Sequence, residues 1–545
     1  MAKIVLDPVT RIEGHLRLET EVTNGKVSNA WSTGTLFRGV EAILKNRDPR
    51  DAWMITQRIC GVCTYVHGVT SIRSMENSLN LEIPENARII RNLLMGSQFV
   101  QDHIIHFYTL HLLDWVDITK TLSADPSAAV TADREIAPNR TRDTAYFTTV
   151  KQKLVDFVNS GQLGPFANGY WGHPGYLLSP EQSLVFMANY LEALKFQGKI
   201  ARIHAILGGK NPHPQSMLIG GISLRQDFTA AKITEVAGLI AEAKKFVDTY
   251  YLPDATAIAA AYKEYAAIGE TQNLLAFGEF PQTSAEPASL FFPRGAIFNQ
   301  ATMQVQPVDV ANITEHVARS WYDGSDAHNP AQGDLTPAYT GFDPDAKYSW
   351  LKAPRYQGQP MEVGPLARVM VGYGKNMTSM VTEVNAFLQR TGLTLAQMYS
   401  TIGRTGARAI ETKVIADALP GWNSLLLTRL TGGKRTNRNS FTMRTDGTGV
   451  ALNEAPRGAV GHWLTYSGTR ITNYQMVVPS TWNFGPRDAA NVAGPVEQAL
   501  LDTPVVDQAN PLEVLRVVHS FDPCLACAVH LFDPAGGATV DITIP

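Results

Sequence analysis

Cysteine is scarce in this chain, which has only four cysteines among 545 residues. A small cross-linked domain is far richer in cysteine for its length, so the sequence excludes a disulfide scaffold. The four cysteines form two C-x-x-C pairs, Cys60 with Cys63 and Cys524 with Cys527. The sequence therefore concentrates all its thiol chemistry at two places near opposite ends.

Charge is also low, because charged residues make up 18% of the chain and the formal net charge is −3. Soluble domains average about 25% charged residues, so part of this surface is expected to be covered by a partner. Lys and Arg are scattered, which argues against nucleic-acid binding. No run of about 18 uncharged apolar residues predicts a membrane span.

The first fifteen residues, MAKIVLDPVTRIEGH, lack the apolar core and the small-residue cleavage site of a secretory signal. We therefore expect either a cytoplasmic chain or one that another polypeptide carries out of the cytoplasm.

The hydrophobic pattern predicts a mainly α protein with a small N-terminal antiparallel β element. Segments 16–22 and 26–32 flank Asn24-Gly25, a strong hairpin signal, within a β element at about 1–36. Apolar residues at helical spacing predict long helices over 85–115, 180–207, 232–250 and 393–419. Helices of this length are expected to pack as a bundle.

Two stretches rich in Pro, Gly and Asn, 281–336 and 431–474, are predicted to be irregular segments ordered by packing or by a partner. We find no linker that divides the chain, so 1–530 is predicted to be one large unit.

The cysteine pairs lie in RICGVCTYVH, 58–67, and DPCLACAVH, 522–530. Residues three apart share a helix face or a tight turn, so four thiolates can reach one centre. Soft sulfur ligands favour zinc, nickel or an iron–sulfur cluster. His67 and His530 follow the pairs as further ligands or as hydrogen-bond donors behind the ligands.

Three other interpretations of the cysteines stay open at this point. A structural zinc site is the commonest use of paired C-x-x-C motifs, but zinc ribbons close within about 15–20 residues, whereas this gap runs from 63 to 524. A redox dithiol belongs in a βαβ setting that the pattern does not predict. Two inert buried pairs would leave the flanking His, Asp and Arg without a role.

The two motifs resemble the metal-binding signatures of the large subunits of nickel–iron hydrogenases. The resemblance extends over further blocks, namely RIEGHLR (11–17), FRGVE (37–41), GGKNPHPQ (208–215), MEVGPLAR (361–368), EAPRGAVGHW (454–463) and VPSTWN (478–483). It implies the hydrogenase large-subunit fold and an oxidoreductase that interconverts H2 with protons and electrons.

The resemblance also implies the ligands of a binuclear centre. All four thiolates would bind nickel, with Cys63 and Cys527 bridging to an iron that carries CO and two cyanide ligands. Cys60 and Cys524 would be terminal on nickel. Some members of the family have selenocysteine at the position of Cys524, but this chain has Cys there. His67 would lie beside a bridging sulfur.

Splitting H2 also requires a base, for which the resemblance implies two candidates, the thiolate of Cys524 and the guanidinium of Arg457. An Arg base is unusual because the pKa of Arg exceeds about 12, so a hydrogen-bonding role is the conservative alternative. Asp102 and Asp522 would hold Arg457, although a lone Asp102 is by default a solvated carboxylate on a helix face. Pro456 would shape the wall of the site.

Three further roles follow from the resemblance. Ser480 would hydrogen-bond a cyanide nitrogen, or would cap the turn after Pro479. Glu13 matches the glutamate that relays protons, and its alternative is a surface residue at a strand edge. Glu41, the backbone carbonyl of Met476 and His530 would hold Mg, or iron in its place, at a second metal site.

The fifteen residues after His530, 531–545, are expected to be a maturation peptide that is cleaved after nickel insertion, or else a harmless terminal strand. The resemblance implies a maturation endopeptidase and nickel-insertion factors as partners.

No cysteine remains for an iron–sulfur cluster in this chain, so electrons must leave through another subunit. The resemblance implies a smaller Fe–S subunit, in a heterodimer or a dimer of heterodimers, and a downstream cytochrome or quinone acceptor. It places the enzyme in the periplasm, attached to the cytoplasmic membrane through the small subunit, with the cytoplasm as the alternative. A hydrogen-sensing relative and a non-catalytic zinc protein are the rival functions.

Overall fold

The computed structural model describes residues 2–528 except 163, 168, 225–227, 285–287, 325–326 and 334, and it leaves the side chains of 165, 527 and 528 undescribed. The α-helices of this part of the chain are α1 Val40–Leu44, α2 Ala52–Thr56, α3 Val66–Leu79, α4 Glu85–Ile105, α5 Pro126–Ile136, α6 Thr144–Asn159, α7 Pro180–Gly208, α8 Ala230–Phe246, α9 Leu252–Ala261, α10 Pro365–Gly374, α11 Thr378–Thr391, α12 Thr401–Thr431, α13 Pro479–Phe484, α14 Pro495–Leu500, α15 Leu512–Ser520 and α16 Leu525–Ala528.

The strands are β1 Ala2–Leu6, β2 Leu16–Thr23, β3 Lys26–Gly34, β4 Met217–Leu218, β5 Gly221–Ile222, β6 Leu274–Ala276, β7 Glu279–Pro281, β8 Leu290–Phe292, β9 Gly295–Ile297, β10 Val305–Gln306, β11 Ile313–His316, β12 Ala353–Tyr356, β13 Glu362–Val363, β14 Gly447–Ala455, β15 Gly458–Ser467 and β16 Arg470–Val477.

Four long helices form the centre of the molecule, because α12 packs against α4 and α8, and α7 packs against the same two helices from the other side. The apolar stripe of α4, including Leu93, Leu94 and Val100, is fully buried there. The predicted helix over 85–115 continues past α4 as a π-helical turn, His106–His111, and a 3-10 turn, Leu112–Asp114. The mainly α fold with a long-helix core is thus confirmed.

Local signals explain the bounds of α7. The Ser179 hydroxyl accepts from the backbone N–H of Gln182, and the side-chain oxygen of Gln182 accepts from the backbone N–H of Ser179. This capping box satisfies N–H groups that the first turn leaves without a helical partner. The helix ends at Gly209, whose φ of 84° is the left-handed conformation that glycine adopts without strain.

Helix α12 differs from the predicted helix over 393–419. Gly392 ends α11, the chain then forms a 3-10 turn at Ala396–Met398, and α12 begins only at Thr401. It continues through Pro420 to Thr431, although an interior proline costs about 3 kcal/mol. Packing of both its ends against α4 and α8 offsets that cost, which is a tertiary effect that local pattern does not report.

The N-terminal β element is confirmed as a three-stranded antiparallel sheet in the order β1-β2-β3. Asn24 and Gly25 connect β2 to β3 with φ values of 53° and 75°, as the type I′ hairpin turn requires. Strand β1 adds to the predicted hairpin by pairing with β2.

The prediction that 431–474 is irregular is wrong. This stretch contains β14, β15 and most of β16, which form an antiparallel sheet in that order. Strand β15 is buried along nearly its whole length, and β14 lies directly on α3, where a Cβ on Gly449 would approach the carbonyl oxygen of Ser74 to 1.9 Å. Because β15 is covered on both faces, it lacks the alternation that marks a half-exposed strand.

The other stretch predicted to be irregular, 281–336, contains the end of β7 and four short strands, β8 to β11, separated by loops. Strands β10, β9, β6 and β13 form one sheet in that order, and β13 runs parallel to β6. Within the described part of the chain, none of the helices combines the length and the hydropathy that crossing a membrane requires.

Candidate metal centre

Three cysteine side chains from opposite ends of the chain meet in one buried site. The Sγ atoms of Cys60, Cys63 and Cys524 all lie within 4.8 Å of one another, and Cys60 and Cys524 are 3.5 Å apart. That separation exceeds the roughly 2.05 Å of a disulfide bond. The side chain of Cys527, the fourth predicted ligand, lies outside the described residues.

The first cysteine pair lies in the segment between a 3-10 turn and α3. Residues Gln57–Ile59 form the turn, Cys60 is extended, and α3 begins at Val66. The backbone N–H groups of Val62 and Cys63 point at Cys60 Sγ, at 3.3 and 3.1 Å. Hydrogen bonds of this kind favour the thiolate form, which is the form that binds a metal.

The second pair is brought in by backbone pairing between the two chain ends. Glu13 and Cys524 form a parallel β-bridge, in which Glu13 N–H donates to the carbonyl of Pro523 and Leu525 N–H donates to the carbonyl of Glu13. Gly14 has a φ of +82°, and a Cβ there would lie 2.4 Å from the backbone nitrogen of Ala526. Only glycine allows this approach, so the RIEGH motif has a structural reason for its Gly.

The side chain of Glu13 faces the cysteines rather than solvent. Its Oε2 accepts from the Cys524 thiol and from the backbone N–H of Ala526, each at 3.1 Å. Burial raises the pKa of Glu13, and negative charge at Cys60 raises it further, against smaller lowering effects from Cys524, Arg457 and Ala526. A carboxyl with a raised pKa at hydrogen-bond distance from a thiol can exchange a proton with it.

Arg457 lies over the cysteines from the turn between β14 and β15. Its Nη1 donates to Asp102 Oδ2 at 3.2 Å, and its Nε lies 3.0 Å from Asp522 Oδ1. Burial disfavours the charge of Arg457, but Asp522, Cys524, Asp102 and Cys63 together raise its pKa well above the ordinary value. The guanidinium therefore stays charged in a site with several negative groups.

The turn that carries Arg457 is fixed by two glycines and a buried arginine. Gly458 and Gly364 have φ values of +140° and +124°, and a Cβ on Gly364 would lie 2.8 Å from the carbonyl of Arg457. The carbonyl of Pro456 accepts from Arg368 Nη2 at 2.7 Å. Pro456 directly precedes Arg457 in this turn, and its predicted role as a wall of the site stays a prediction.

Asp102 and Asp522 are both 1% exposed, so the solvated alternative for Asp102 is wrong. Asp102 lies on α4, where Gln98 Nε2 donates to its Oδ1 at 2.5 Å. Burial raises the pKa of Asp102 to about 8, with Arg457 opposing and Asp522 adding to the shift. Asp522 has a φ of 56° and precedes Cys524 by two residues. Neither of its carboxylate oxygens makes a hydrogen bond within the described residues, so its contact with Arg457 is an ion pair.

Ser480 touches the second cysteine pair directly. Its Oγ accepts from the backbone N–H of Cys524 at 2.9 Å, and α13, on which it lies, has no side-chain cap. The hydroxyl proton of Ser480 remains available for an acceptor inside the site, since its oxygen is the acceptor toward Cys524.

His67 lies on α3, and its Nδ1 is 3.3 Å from Nε2 of His462. His462 Nδ1 in turn lies 2.8 Å from the hydroxyl of Tyr474 on β16. Burial lowers the pKa of His67 to about 4, so the ring is neutral at physiological pH. The chain His67–His462–Tyr474 fixes the ring orientation beside the first cysteine pair.

Two of the three residues predicted for the second metal site are adjacent. Glu41 on α1 accepts from the backbone N–H of Met476 at 2.8 Å, and metal binding by Glu41 and the Met476 carbonyl stays a prediction. His530, the third, lies outside the described residues, as do 531–545. Burial and Glu315 raise the pKa of Glu41, while Lys352 lowers it.

Sequence reasoning missed the polar groups around Glu41. Lys352 Nζ lies 3.0 Å from both Glu315 Oε2 and Gln475 Oε1 and 3.5 Å from Glu41 Oε2. Lys352 is 6% exposed, although buried lysines are rare unless they are paired. The four residues are far apart in sequence, and no local motif connects them.

Comparison with known proteins agrees with this geometry. The family model described as nickel-dependent hydrogenase matches residues 38–530, and one described as HoxL-like matches residues 3–32. The chain is 44% identical to the uptake hydrogenase large subunit of Bradyrhizobium diazoefficiens, over 98% of this chain and 96% of that protein. It is 43% identical to the hydrogenase-2 large chain of Escherichia coli strain K12, over 99% of each.

The fold has a solved counterpart in the Ni-Fe-Se hydrogenase of Desulfovibrio vulgaris Hildenborough in its as-isolated oxidized state. The TM-score is 0.79 at 31% identity, over 97% of this chain and all of that one. The chain belongs to the nickel-dependent hydrogenase family. It is a hydrogenase large subunit, and the thiolate site described above fits the nickel–iron centre of that class.

The close approach of the chain ends predicts a specific effect of Gly14→Ala. The new Cβ would meet the backbone of Ala526, which cannot rotate away, so the Cys524 segment must move from the other two cysteines. We expect the nickel content per purified chain, measured by elemental mass spectrometry, to fall to less than about half.

Gly25→Ala is the matched control, because Gly25 has a similar φ of +75° but open space around its Cβ position. Both variants carry the roughly 1–2 kcal/mol strain of a left-handed residue. Equal nickel content in the two variants would contradict the claim that the Gly14 contact positions the metal ligands.

Proposed function

We propose that this chain is the catalytic subunit of an uptake hydrogenase, which splits H2 into protons and electrons. The observation that carries the proposal is the convergence of Cys60, Cys63 and Cys524 within 4.8 Å, beneath Arg457 and beside Glu13. The names of the relatives support the direction of the reaction, since three of them are called uptake hydrogenase large subunits.

All four thiolates would hold the nickel, and Cys63 and Cys527 would also bridge to an iron with CO and two cyanide ligands. When bound, this centre supplies the Lewis acidity and redox capacity that splitting an apolar, barely acidic molecule requires. The residues fit it, because soft sulfur donors are gathered in a site where Asp522 Oδ2 has no protein partner among the described residues.

The chain itself provides the routes for the proton. The thiol of Cys524 donates to Glu13 in the present geometry, so a proton accepted at Cys524 Sγ can pass to Glu13 Oε2 over 3.1 Å. The raised pKa of Glu13 suits a group that must both take up and release a proton. We therefore assign the base to Cys524 and the relay to Glu13.

Arg457 would act by electrostatics and hydrogen bonding rather than as the base. Its raised pKa makes loss of its proton unfavourable, and the guanidinium is ion-paired with both Asp102 and Asp522. Asp102 and Asp522 would orient it toward the reacting molecule. Pro456 would restrict access to the same space, and neutral His67 would orient a bridging sulfur.

Ser480 would donate its hydroxyl proton to a cyanide ligand, since its oxygen is already the acceptor for the Cys524 N–H. Glu41, the carbonyl of Met476 and His530 would hold a hard cation, Mg or iron.

The remaining parts of the proposal concern partners and location. A smaller Fe–S subunit would take the electrons, in a heterodimer or a dimer of heterodimers, and pass them to a cytochrome or quinone. The complex would lie in the periplasm against the cytoplasmic membrane, rather than in the cytoplasm. An endopeptidase and nickel-insertion factors would mature the chain by removing 531–545.

Infrared spectroscopy of the purified, anaerobic heterodimer tests the proposal directly. We expect one CO band and two cyanide bands from iron, together with nickel and H2-dependent dye reduction. Zinc without nickel, or the absence of these bands in fully folded protein, would refute it in favour of a structural metal site.

Substitution of Glu13 tests the proton relay separately from metal binding. Glu13→Gln keeps the size and one acceptor but cannot ionise, so exchange of H2 with solvent deuterons should fall by about 10²-fold or more. Nickel content and the infrared bands should remain those of the unsubstituted enzyme. Normal exchange in this variant would remove Glu13 from the proton route.

Intact mass of the active large subunit tests the proposed maturation. We expect a chain that ends at His530, because an attached tail would keep the last cysteine pair from closing over the metals. Active enzyme that retains 531–545 would contradict that idea.

A further inference from the structure

A second buried polar cluster lies behind the chain-end contact, centred on Asp114. This residue ends the 3-10 turn Leu112–Asp114 and is 0% exposed. Its Oδ1 accepts from Arg11, and its Oδ2 lies 2.7 Å from His519 Nδ1 and 3.1 Å from His111 Nδ1. Three donors from distant parts of the chain therefore share one carboxylate.

Both histidines direct Nδ1 at Asp114. His519 Nε2 lies 2.9 Å from the carbonyl of Thr10, so both ring nitrogens of His519 face acceptors. His111 Nε2 accepts from the indole N–H of Trp115 at 3.0 Å, which places the single proton of His111 on Nδ1. Burial lowers the pKa of His111 to about 4, so His111 is neutral.

The carboxylate is ionised in this setting. Burial opposes the charge of Asp114, but Arg11, His519 and the bonds from the two histidines hold its pKa well below the ordinary range. The bonds to Arg11 and His519 are therefore charge-assisted and stronger than neutral hydrogen bonds.

The cluster has the spacing of a metal site, since ligand atoms of His111, Asp114 and His519 lie within 4.8 Å of one another. The donors are already engaged, however, and the guanidinium of Arg11 lies against the carboxylate. A divalent cation would have to displace two protons and overcome that positive charge. The cluster is better explained as an anchor.

The anchor joins the two segments that form the catalytic contact. Arg11 precedes Glu13 by two residues, and its other amino group donates to the carbonyl of Leu110 at 2.8 Å. The carbonyl of His519 accepts from the backbone N–H of Asp522 at 3.0 Å and from His106 Nε2 at 2.7 Å. One carboxylate thus fixes the approach of Thr10–Glu13 and the turn that leads to Asp522 and Cys524.

We propose that Asp114 is a positioning residue for proton transfer, which keeps Glu13 within hydrogen-bond distance of Cys524 by tying Arg11 and His519 together. The proposal rests on the relay role given above to Glu13. Asp114 does not touch the reacting atoms, so its loss should change the geometry of the relay and leave the metal ligands in place.

The test is Asp114→Asn in the full heterodimer, with two reactions measured per nickel. Conversion of para-hydrogen to ortho-hydrogen requires only cleavage and recombination within the site, whereas exchange with solvent deuterons requires the proton to leave. We expect the rate of exchange to fall by about tenfold or more, because a misplacement of about 1 Å between reacting groups lowers the rate strongly. The rate of conversion and the infrared bands should stay unchanged.

Asp254→Asn is the matched control. Asp254 is also 0% exposed and accepts from Arg140, Tyr108 and Asn189, but none of these bonds involves the Glu13 or Cys524 segments. This variant loses a comparable buried charge, so we expect both reactions per nickel to match the unsubstituted enzyme.

A crystal structure of Asp114→Asn gives a readout that does not depend on the relay. We expect the Glu13 Oε2 to Cys524 Sγ separation to lengthen from 3.1 Å to more than about 4 Å, beyond hydrogen-bond distance. An unchanged separation, or an equal loss of both reactions together with nickel, would overturn the proposal. If Glu13→Gln exchanges normally, the relay has failed, and this separation alone decides the positioning claim.

His519→Gln serves if Asp114→Asn yields no folded protein. Its side-chain amide can keep a donor for the carbonyl of Thr10, and it removes the bond from His519 Nδ1 to Asp114. The same divergence of the two reactions is expected, and its absence would overturn the proposal.

Discussion

The pairing of the chain ends at Glu13 and Cys524 is the contact on which the metal centre depends. Two backbone hydrogen bonds and the close approach of Gly14 to Ala526 bring Cys524 within 3.5 Å of Cys60, although 464 positions separate these cysteines. Two short hydrogen-bonded segments cannot by themselves offset the conformational entropy that is lost when so long a loop is closed and ordered. Packing in the rest of the chain, including the four-helix core, must offset that entropy cost.

Electrostatics explains why the cysteine site suits a cationic metal centre. Cys60, Cys63 and Cys524 lie with Asp102, Asp522 and Glu13 in a region that water barely reaches, and Arg457 is the cation in contact with both aspartates. Isolated buried anions are costly, which is the reason that the pKa values of Asp102 and Glu13 are raised. Bound metal cations would offset the same excess of negative groups.

Much of this arrangement could be predicted from sequence because its signals are local. The N-terminal hairpin follows from Asn24-Gly25, the long helices from apolar spacing, and the two cysteine pairs from C-x-x-C motifs. The β14–β16 sheet could not, since its central strand β15 is buried on both faces and gives no alternating pattern. The start of α12 and its passage through Pro420 depend on packing against α4 and α8.

Only those residues of the site that lie in a recognisable sequence motif could be predicted. Glu13, Arg457 and Ser480 lie in recognisable blocks, and the structure places all three around the cysteines. The Lys352 and Asp114 clusters have no such signal, because their members come from segments up to several hundred positions apart. Buried polar networks of this kind become visible only when the chain is folded.

X-ray absorption at the nickel edge of the purified heterodimer measures the central claim most directly. The account predicts nickel surrounded by sulfur ligands with iron as a close neighbour, and fewer sulfur ligands per nickel, or loss of nickel, in each of Cys60→Ser and Cys524→Ser. Nickel bound only by nitrogen and oxygen, or an unchanged number of sulfur ligands on a full complement of nickel in both variants, would contradict it.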